Sequence, residues 1–314
     1  MSNNNDNLSE EDYLKKHLGD IESNHYNSDI PINNEEKVET DSSKVEELNY
    51  FNFSVDQLPC GQFYPKGTLI MVRPAQVREI QAYSMVDDNN FYDIVEKMND
   101  MLQSCIRVKY TDGTVGSYLE VKDQDRLFLI FLIRELTFQQ GNELSVKAKS
   151  PCDDGEVNVE LKRENFVFHQ ANEKLDKFYN KSSFSYSFKL KNGKKYEMAP
   201  PTIGIQKSFT DYIVKENQEE KSPNLSFLKI IPFMLPGRKS ISYDGIKSKL
   251  KEFQEMDDVS FQFLNSAVSK MTFGIKELKK QSECGQEIRT KMTFPNGASG
   301  IFVIHDAFEA YIEE

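Results

Sequence analysis

The stretch VKDQDRLFLIFLIRELTF, residues 121–138, decides the fold class of the chain. Acidic residues stand at its start, where they favour a helix N-terminus, and apolar residues surround the rest of the helix. A helix that is apolar on all sides is buried, so this segment is predicted to be the central core helix. Its longest apolar run has 7 residues. A bilayer span needs roughly 20, so no membrane role is expected.

Upstream of this helix the patterns predict a loop, a strand and two helices. QLPCGQFYPKG (57–67) is rich in Pro and Gly and is predicted to be a loop. TLIMVRP (68–74) is predicted to be a buried strand that ends at its proline. AQVREIQAYSMV (75–86) and NFYDIVEKMNDMLQSCI (90–106) have helical spacing.

In the second of these helices one face is apolar, and a cap precedes it. The predicted cap of this helix is Asp88 or Asn89. After the helix, TDGT (111–114) is predicted to be a turn between strands. The predicted buried face consists of Phe91, Ile94, Val95, Met98, Leu102 and Ile106.

Downstream of the central helix the period changes to two, which predicts strands. NELSVKAKS (142–150) and EVNVELK (156–162) are predicted to form a strand, turn and strand. SFSYSFKLKNGKKYEMAPP (183–201) is predicted to be a hairpin with Asn192-Gly193 in a two-residue turn.

Four helices with short loops are predicted next, followed by a strand and a short terminal helix. The strand lies in QSECGQEIRTKMTF (281–294), and GIFVIHDAFEAYIEE (300–314) is the terminal helix. The four helices are predicted in residues 202–220, 224–235, 242–254 and 260–280.

Charge is distributed unevenly along the chain. The net charge is −11, and residues 1–50 contribute −9 of it, with 13 acidic and 4 basic side chains. Such a segment cannot bury enough apolar area to offset its ordering entropy, so it is predicted to be a disordered acidic tail. The alternative is a short helix at SEEDYLKKHLGD (9–20) that forms on binding. The other 264 residues are almost neutral, without the clustered Lys and Arg that nucleic-acid binding requires.

Motifs for catalysis are lacking. The chain has no Gly-rich phosphate loop, no Gly-x-Ser-x-Gly and no His-Glu-x-x-His. His17 and His25 lie in the tail, and His169 and His305 stand beside apolar residues, where packed or surface histidines are the expected interpretation. No catalytic residue, cofactor or small-molecule substrate is therefore predicted.

The cysteines suggest half of a metal site. Cys152 and Cys284 each stand on a turn before an alternating strand, in SPCDDGEVNVEL and SECGQEIRTKMTF. A zinc ribbon needs a Cys-x-x-Cys knuckle at both turns, yet the partner positions hold Gly155 and Gln281. The two turns are either degenerate knuckles whose cysteines lie within about ten ångströms of each other, without bound zinc, or a chance likeness. With Cys60 and Cys105, the four cysteines are too few and too scattered for a disulfide framework.

Four of these segments, in this order, resemble the baseplate-hub proteins of T-even-like contractile-tailed bacteriophages. QLPCGQFYPKG followed by MVRPAQVREI is similar to the opening loop, strand and helix of that family. DQDRLFLIFLIRELTF is similar to its hydrophobic helix, and the two cysteine turns occupy the places of its knuckles. The resemblance covers roughly residues 55–314, and the knuckles are where this chain departs from it.

The resemblance implies a structural or assembly component of a phage tail baseplate hub, without enzymatic activity, that binds other baseplate or tail proteins. It would lie in the virion tail, or in the host cytoplasm during assembly. The alternatives are a zinc-ribbon-type regulatory or nucleic-acid-associated factor, and an enzyme without a recognisable motif. Nucleic acid and membrane are not expected partners.

The predicted fold class is α+β, with helical N- and C-terminal parts around a β-rich middle and a degenerate zinc-ribbon-like pair of cysteine strands. The predicted organisation is a tail (1–50), an N-terminal α/β part (51–142), a β-rich insertion (143–202), a helical part (203–280) and a C-terminal strand and helix (281–314).

Overall fold

The computed structural model describes residues 50–138, 144–152, 155–169, 172–294 and 297–302. All strand pairings among them are antiparallel, and helices and strands alternate irregularly, so the fold is α+β as predicted. The strands are β1 Phe51–Ser54, β2 Leu69–Val72, β3 Ile106–Lys109, β4 Val115–Gly116, β5 Ser145–Lys149, β6 Glu156–Glu160, β7 Phe166–Phe168, β8 Tyr179–Asn180, β9 Ser185–Lys189, β10 Lys195–Met198, β11 Ile275–Gln281 and β12 Glu287–Thr290. The α-helices are α1 Val77–Ser84, α2 Phe91–Cys105, α3 Arg126–Thr137, α4 Glu173–Asp176, α5 Ile203–Gln218, α6 Leu225–Ile230, α7 Tyr243–Gln254 and α8 Asp258–Lys270.

Helix α3 is the central buried helix, which confirms the prediction from its apolar run. Every residue from Phe128 to Arg134 is buried. The ring of Phe128 packs on Phe53 of β1, with ring centroids 5.8 Å apart, and the ring of Phe131 packs on Phe166 of β7 at 5.4 Å. Helix α3 therefore connects the strands that precede it with strands that follow it.

The N-terminal part contains a four-stranded sheet, so the expectation of a helical N-terminal part is wrong in this respect. Its strand order is β1-β2-β3-β4, and the turn predicted at residues 111–114 connects β3 to β4. Ile106 starts β3 instead of ending the preceding helix. Its alternation with Val108, which is also fully buried, determines the strand because both side chains face the core.

Helix α2 is present as predicted, but its cap and its buried face differ from the prediction. The cap is Asn90, whose side chain accepts hydrogen bonds from the amides of Tyr92 and Asp93. Phe91 is 56% exposed, while Met101 and Cys105 are buried. The fully buried residues of α2 lie in its C-terminal half and residues 92–98 are partly buried, a difference that the apolar spacing alone does not show.

The β-rich middle forms as predicted, except for one turn. Strands β5 and β6 pair with each other, and β10-β9-β8 form a three-stranded sheet. In the β9–β10 hairpin the amide of Gly193 donates to the carbonyl of Leu190, so Lys191 and Asn192 are the central residues of the turn. Gly193, with φ +84°, follows them in the left-handed region. The hairpin therefore has the longer loop that ends in a glycine bulge, and the predicted two-residue turn is wrong.

The last of the four predicted helices is shorter than expected. Helix α8 ends at Lys270, and Gly274, with φ +90°, reverses the chain into β11. Strand β11 then pairs with β12 on one side and β7 on the other. Its sequence IKELKK suits a helix or a strand, and pairing with β7 decides in favour of the strand. Strand β12 confirms the strand predicted after Cys284.

The buried apolar side chains form one cluster that draws on every described segment between residues 53 and 302. The predicted acidic tail and almost all of the predicted terminal helix lie outside the described residues.

Candidate functional site

Asp125, the last residue before α3, binds the loop of residues 57–67 from inside the core. Its Oδ1 accepts from the amide of Cys60, and its Oδ2 accepts from the hydroxyl of Tyr64, both at 2.8 Å. The Tyr64 hydroxyl in turn accepts from the amide of Lys122 at 2.7 Å. The loop is thus attached to the chain segment that enters α3 by three hydrogen bonds.

Burial changes the acid–base behaviour of this cluster. It raises the pKa of Asp125 to about 7, against the hydrogen bonds from Tyr64 and Cys60, which lower it. It also raises the pKa of the Cys60 thiol and of the Tyr64 hydroxyl well above their usual ranges. Burial therefore favours the neutral form of all three groups.

A cavity of about 140 Å³ lies next to this cluster. Residues from six separate parts of the chain meet there. Its lining consists of Phe63, Tyr64, Pro65, Tyr110, Glu120, Lys122, Ser183, Phe184, Thr202, Gly237, Arg238 and Lys239.

Lys122 is the unusual member of this lining. Only 5% of its surface is exposed, and its ammonium lies over the ring of Tyr64, 5.8 Å from the ring centroid. Among the described residues its ammonium makes no salt bridge and no hydrogen bond. Burial lowers its pKa, although Cys60 and Asp125 act in the opposite direction.

The other charges of the lining are paired or solvated. Glu120 receives hydrogen bonds from the hydroxyl of Tyr110 and the amide of Ser117, and its Oε1 lies 2.9 Å from the ammonium of Lys239. Arg238 is exposed at the rim. The cavity therefore has three basic side chains and one acidic side chain, and the acid already has its partners.

The backbone around the cavity is held tightly. Thr202 caps α5 by accepting from the amide of Ile205, and its hydroxyl donates to the carbonyl of Arg238. A Cβ at Gly204 would lie 2.0 Å from the carbonyl oxygen of Lys239, so only glycine allows the loop of residues 236–240 to approach α5 this closely. Phe184 has φ +49°, a conformation that is rare outside glycine and is often found at binding sites.

The two cysteine turns meet on the surface, at a different place. Cys152 and Cys284 form a disulfide, and their Cα atoms lie 6.0 Å apart, which confirms the predicted distance. The sequence predicts that the strands after the two turns pair with each other, and this prediction is wrong. Strand β6 pairs with β5, while β12 pairs with β11, because each strand takes the neighbour in its own hairpin.

The histidines are expected to be packed or surface residues, and His169 is the one that lies within the described residues. His169 lines a wider cavity of about 370 Å³ with Asp56 and Gln62, and its amide donates to the carbonyl of Gly274. Across the described ranges no group of three or more His, Cys, Asp and Glu side chains is arranged to hold a metal ion. His17, His25 and His305 lie outside those ranges.

Sequence reasoning missed Asp125 and Lys122 as members of a site. The sequence pattern identifies the acids before the apolar helix only as helix-start residues. One signal was available: in KDQDRLFLIF, charged residues directly precede a helix that is apolar on all sides, which places them next to the core, where a buried acid needs hydrogen-bond donors.

Comparisons with family models, with curated proteins and with solved structures found no match to this chain. None of the helices in the described ranges has the length and apolar content needed to cross a bilayer.

Proposed function

We propose that this protein is a structural or assembly component of a contractile phage tail baseplate hub and acts by binding other baseplate or tail proteins. One observation supports the proposal: the four segments that carry the sequence resemblance contact each other in pairs. The loop of residues 57–67 is hydrogen-bonded to Asp125, at the start of the hydrophobic helix. The two cysteine turns are joined to each other.

We further propose that the cysteine turns are degenerate zinc-ribbon-like knuckles. Two knuckles of a ribbon must converge on one metal ion, and these two turns converge although 132 residues separate them in the sequence. Ile288 after the second turn and Val159 after the first are buried, so packing holds the two hairpins in place. Two thiolates fall short of the four ligands of a structural zinc site.

Elemental analysis of the reduced, full-length protein tests the second proposal. No bound zinc is expected. One zinc ion per chain would contradict it, because another residue would then complete the site, and the alternative of a zinc-ribbon-type factor would gain support.

The genomic neighbourhood and a binding experiment test the first proposal. Neighbouring genes for tail-tube, spike or tape-measure proteins are expected. The full chain, co-expressed with each neighbouring tail protein, is expected to form a complex of fixed stoichiometry in native mass spectrometry.

Electrostatic adhesion needs a control, because the chain carries a net charge of −11. A specific complex persists at high salt, where long-range attraction between exposed charges is screened. An unrelated gene neighbourhood, or complexes that all dissociate at high salt, would overturn the proposal.

A further inference from the structure

Lys122 brings an ammonium group to the cavity from a residue that is almost fully buried. Only 5% of the residue is exposed, and the ammonium lies 5.8 Å from the centroid of the Tyr64 ring. Its Nζ is not among the buried polar atoms that lack a hydrogen-bond partner, so the charge keeps contact with the open space of the cavity. A cation–π contact offsets only part of the hydration that such a buried side chain loses.

The two acidic side chains beside the cavity have other partners. Asp125 uses both of its oxygens to accept hydrogen bonds from Cys60 and Tyr64. Glu120 accepts from Tyr110 and forms a salt bridge with Lys239. Neither carboxylate makes a salt bridge with the ammonium of Lys122, so the cavity beside Lys122 is where a counter-charge fits.

The rest of the cavity favours a negative ligand. Lys239 neutralises Glu120, the single acid of the lining, so Lys122 and the rim residue Arg238 leave the lining with a net positive charge. Thr202, the cap of the 16-residue helix α5, also lines the cavity, which places the positive end of the helix dipole there.

The size of the cavity restricts the ligand. Pockets for drug-sized molecules measure roughly 300–1,000 Å³. A volume of about 140 Å³ instead suits a single small group. A nucleotide is too large, whereas a carboxylate or a phosphate group fits.

We propose that this cavity binds a small oxyanion, a carboxylate or a phosphate, with the ammonium of Lys122 as its buried counter-charge and Arg238 at its rim. The anion is either free in solution or part of a protein side chain that enters the cavity. The proposal concerns a site on this chain and does not depend on the proposed hub function.

The experiment is an NMR titration of the full-length, ¹⁵N-labelled protein with sodium acetate or sodium phosphate at constant ionic strength, with sodium chloride as the reference. Saturable shifts of the amides of Lys122, Thr202 and Lys239 are expected, with an accompanying rise in the thermal midpoint. Lys122→Met removes the charge but keeps an unbranched side chain, and is expected to weaken binding about tenfold or more, since a hydrogen bond to a charged group is lost.

Two further variants keep the test decisive if Lys122→Met does not fold. Arg238→Gln, at an exposed position, is expected to fold and to weaken binding by a smaller factor. Lys276→Met replaces an exposed lysine of β11, away from the cavity, and is expected to bind as the wild type does.

A capped peptide with one glutamate, compared with its glutamine analogue, distinguishes the two sources of the anion. Tighter binding of the glutamate peptide than of acetate indicates a protein side chain, and binding of acetate or phosphate alone indicates a free anion. Shifts that do not saturate, that chloride reproduces, or that Lys122→Met leaves unchanged would overturn the proposal.

Discussion

Replacing Asp125 with alanine removes the group that attaches the loop of residues 57–67 to the core. The amide of Cys60 and the hydroxyl of Tyr64 each donate to the carboxylate at 2.8 Å, and both residues are at least 95% buried, with exposures of 0% and 5%. After the substitution, two buried donors lack an acceptor.

The expected loss in the free energy of unfolding follows from those two donors. An unsatisfied buried donor costs about 1–3 kcal/mol, so two cost about 2–6 kcal/mol. A fully buried carboxylate is itself unfavourable, in line with its pKa, which burial raises to about 7, and alanine removes that cost. We therefore expect Asp125→Ala to lower the free energy of unfolding by about 2–5 kcal/mol.

Asp125→Asn provides the matched comparison. Asparagine keeps the shape and one acceptor for the amide of Cys60, but its amide group faces the hydroxyl of Tyr64, which then loses its acceptor. We expect about half of the alanine effect. Glu164→Ala, at an exposed position with no hydrogen bond or ion pair among the described contacts, is the control and should stay within about 0.5 kcal/mol of the wild type.

Urea unfolding followed by far-UV circular dichroism and tyrosine fluorescence measures these differences, since the chain has no tryptophan. A loss below about 1 kcal/mol for Asp125→Ala would refute the reasoning, because the two donors would then have found other acceptors. Equal losses for the alanine and asparagine variants would refute the assignment of one hydrogen bond to each carboxylate oxygen.

Four other outcomes follow from the structure. Phe131→Ala should lower the free energy of unfolding by about 2–5 kcal/mol through the cavity that it leaves, and a loss below about 1 kcal/mol in urea unfolding would place the helix at the periphery. Gly61→Ala should sharply reduce the yield of folded protein in gel filtration, because its Cβ would lie 2.3 Å from a backbone carbonyl oxygen; a normal yield would contradict this contact. Reducing the bond between Cys152 and Cys284 should lower stability by up to about 5 kcal/mol, the chain-entropy value for so long a loop, and Cys152→Ser should make stability insensitive to reductant. Burial raises the pKa of Asp125 from 3.8 to about 7, so the folded state binds more protons than the unfolded state between these pH values. The stability that proton binding to Asp125 contributes is complete below pH 4 and is lost as the pH rises through 7. Asp125→Asn should remove that part of the pH dependence of urea unfolding, and an unchanged profile would assign it to another group.

Local patterns predicted most elements because those elements have only one way to bury their apolar side chains. Helix α3 is apolar on every side, and the alternation in β9 and β10 permits only strands. The central position of α3 and the hairpin at residues 183–201 could therefore be predicted from the sequence.

Other features depend on partners that are distant in the sequence. Strand β11 carries a pattern that a helix could also use, and β7, more than 100 residues earlier, determines its conformation. The cavity lining extends from Phe63 to Lys239, and no local spacing announces such a convergence. The burial of Lys122 and Asp125 was unpredictable for the same reason, since it is created by the loop of residues 57–67 closing over them.

The bond between Cys152 and Cys284 turns the chain from residue 152 to residue 284 into a covalent ring. Helices α4 to α8 lie inside the ring, whereas the four-stranded sheet and helix α3 lie on the arm that precedes it. A single cut of the backbone anywhere in the ring, for example at the surface turn where Glu220 has φ +56°, leaves both new ends attached to the rest of the molecule. The chain between Cys152 and Cys284 can thus be cut once and remain part of one molecule. The arm that precedes Cys152 lacks this tolerance.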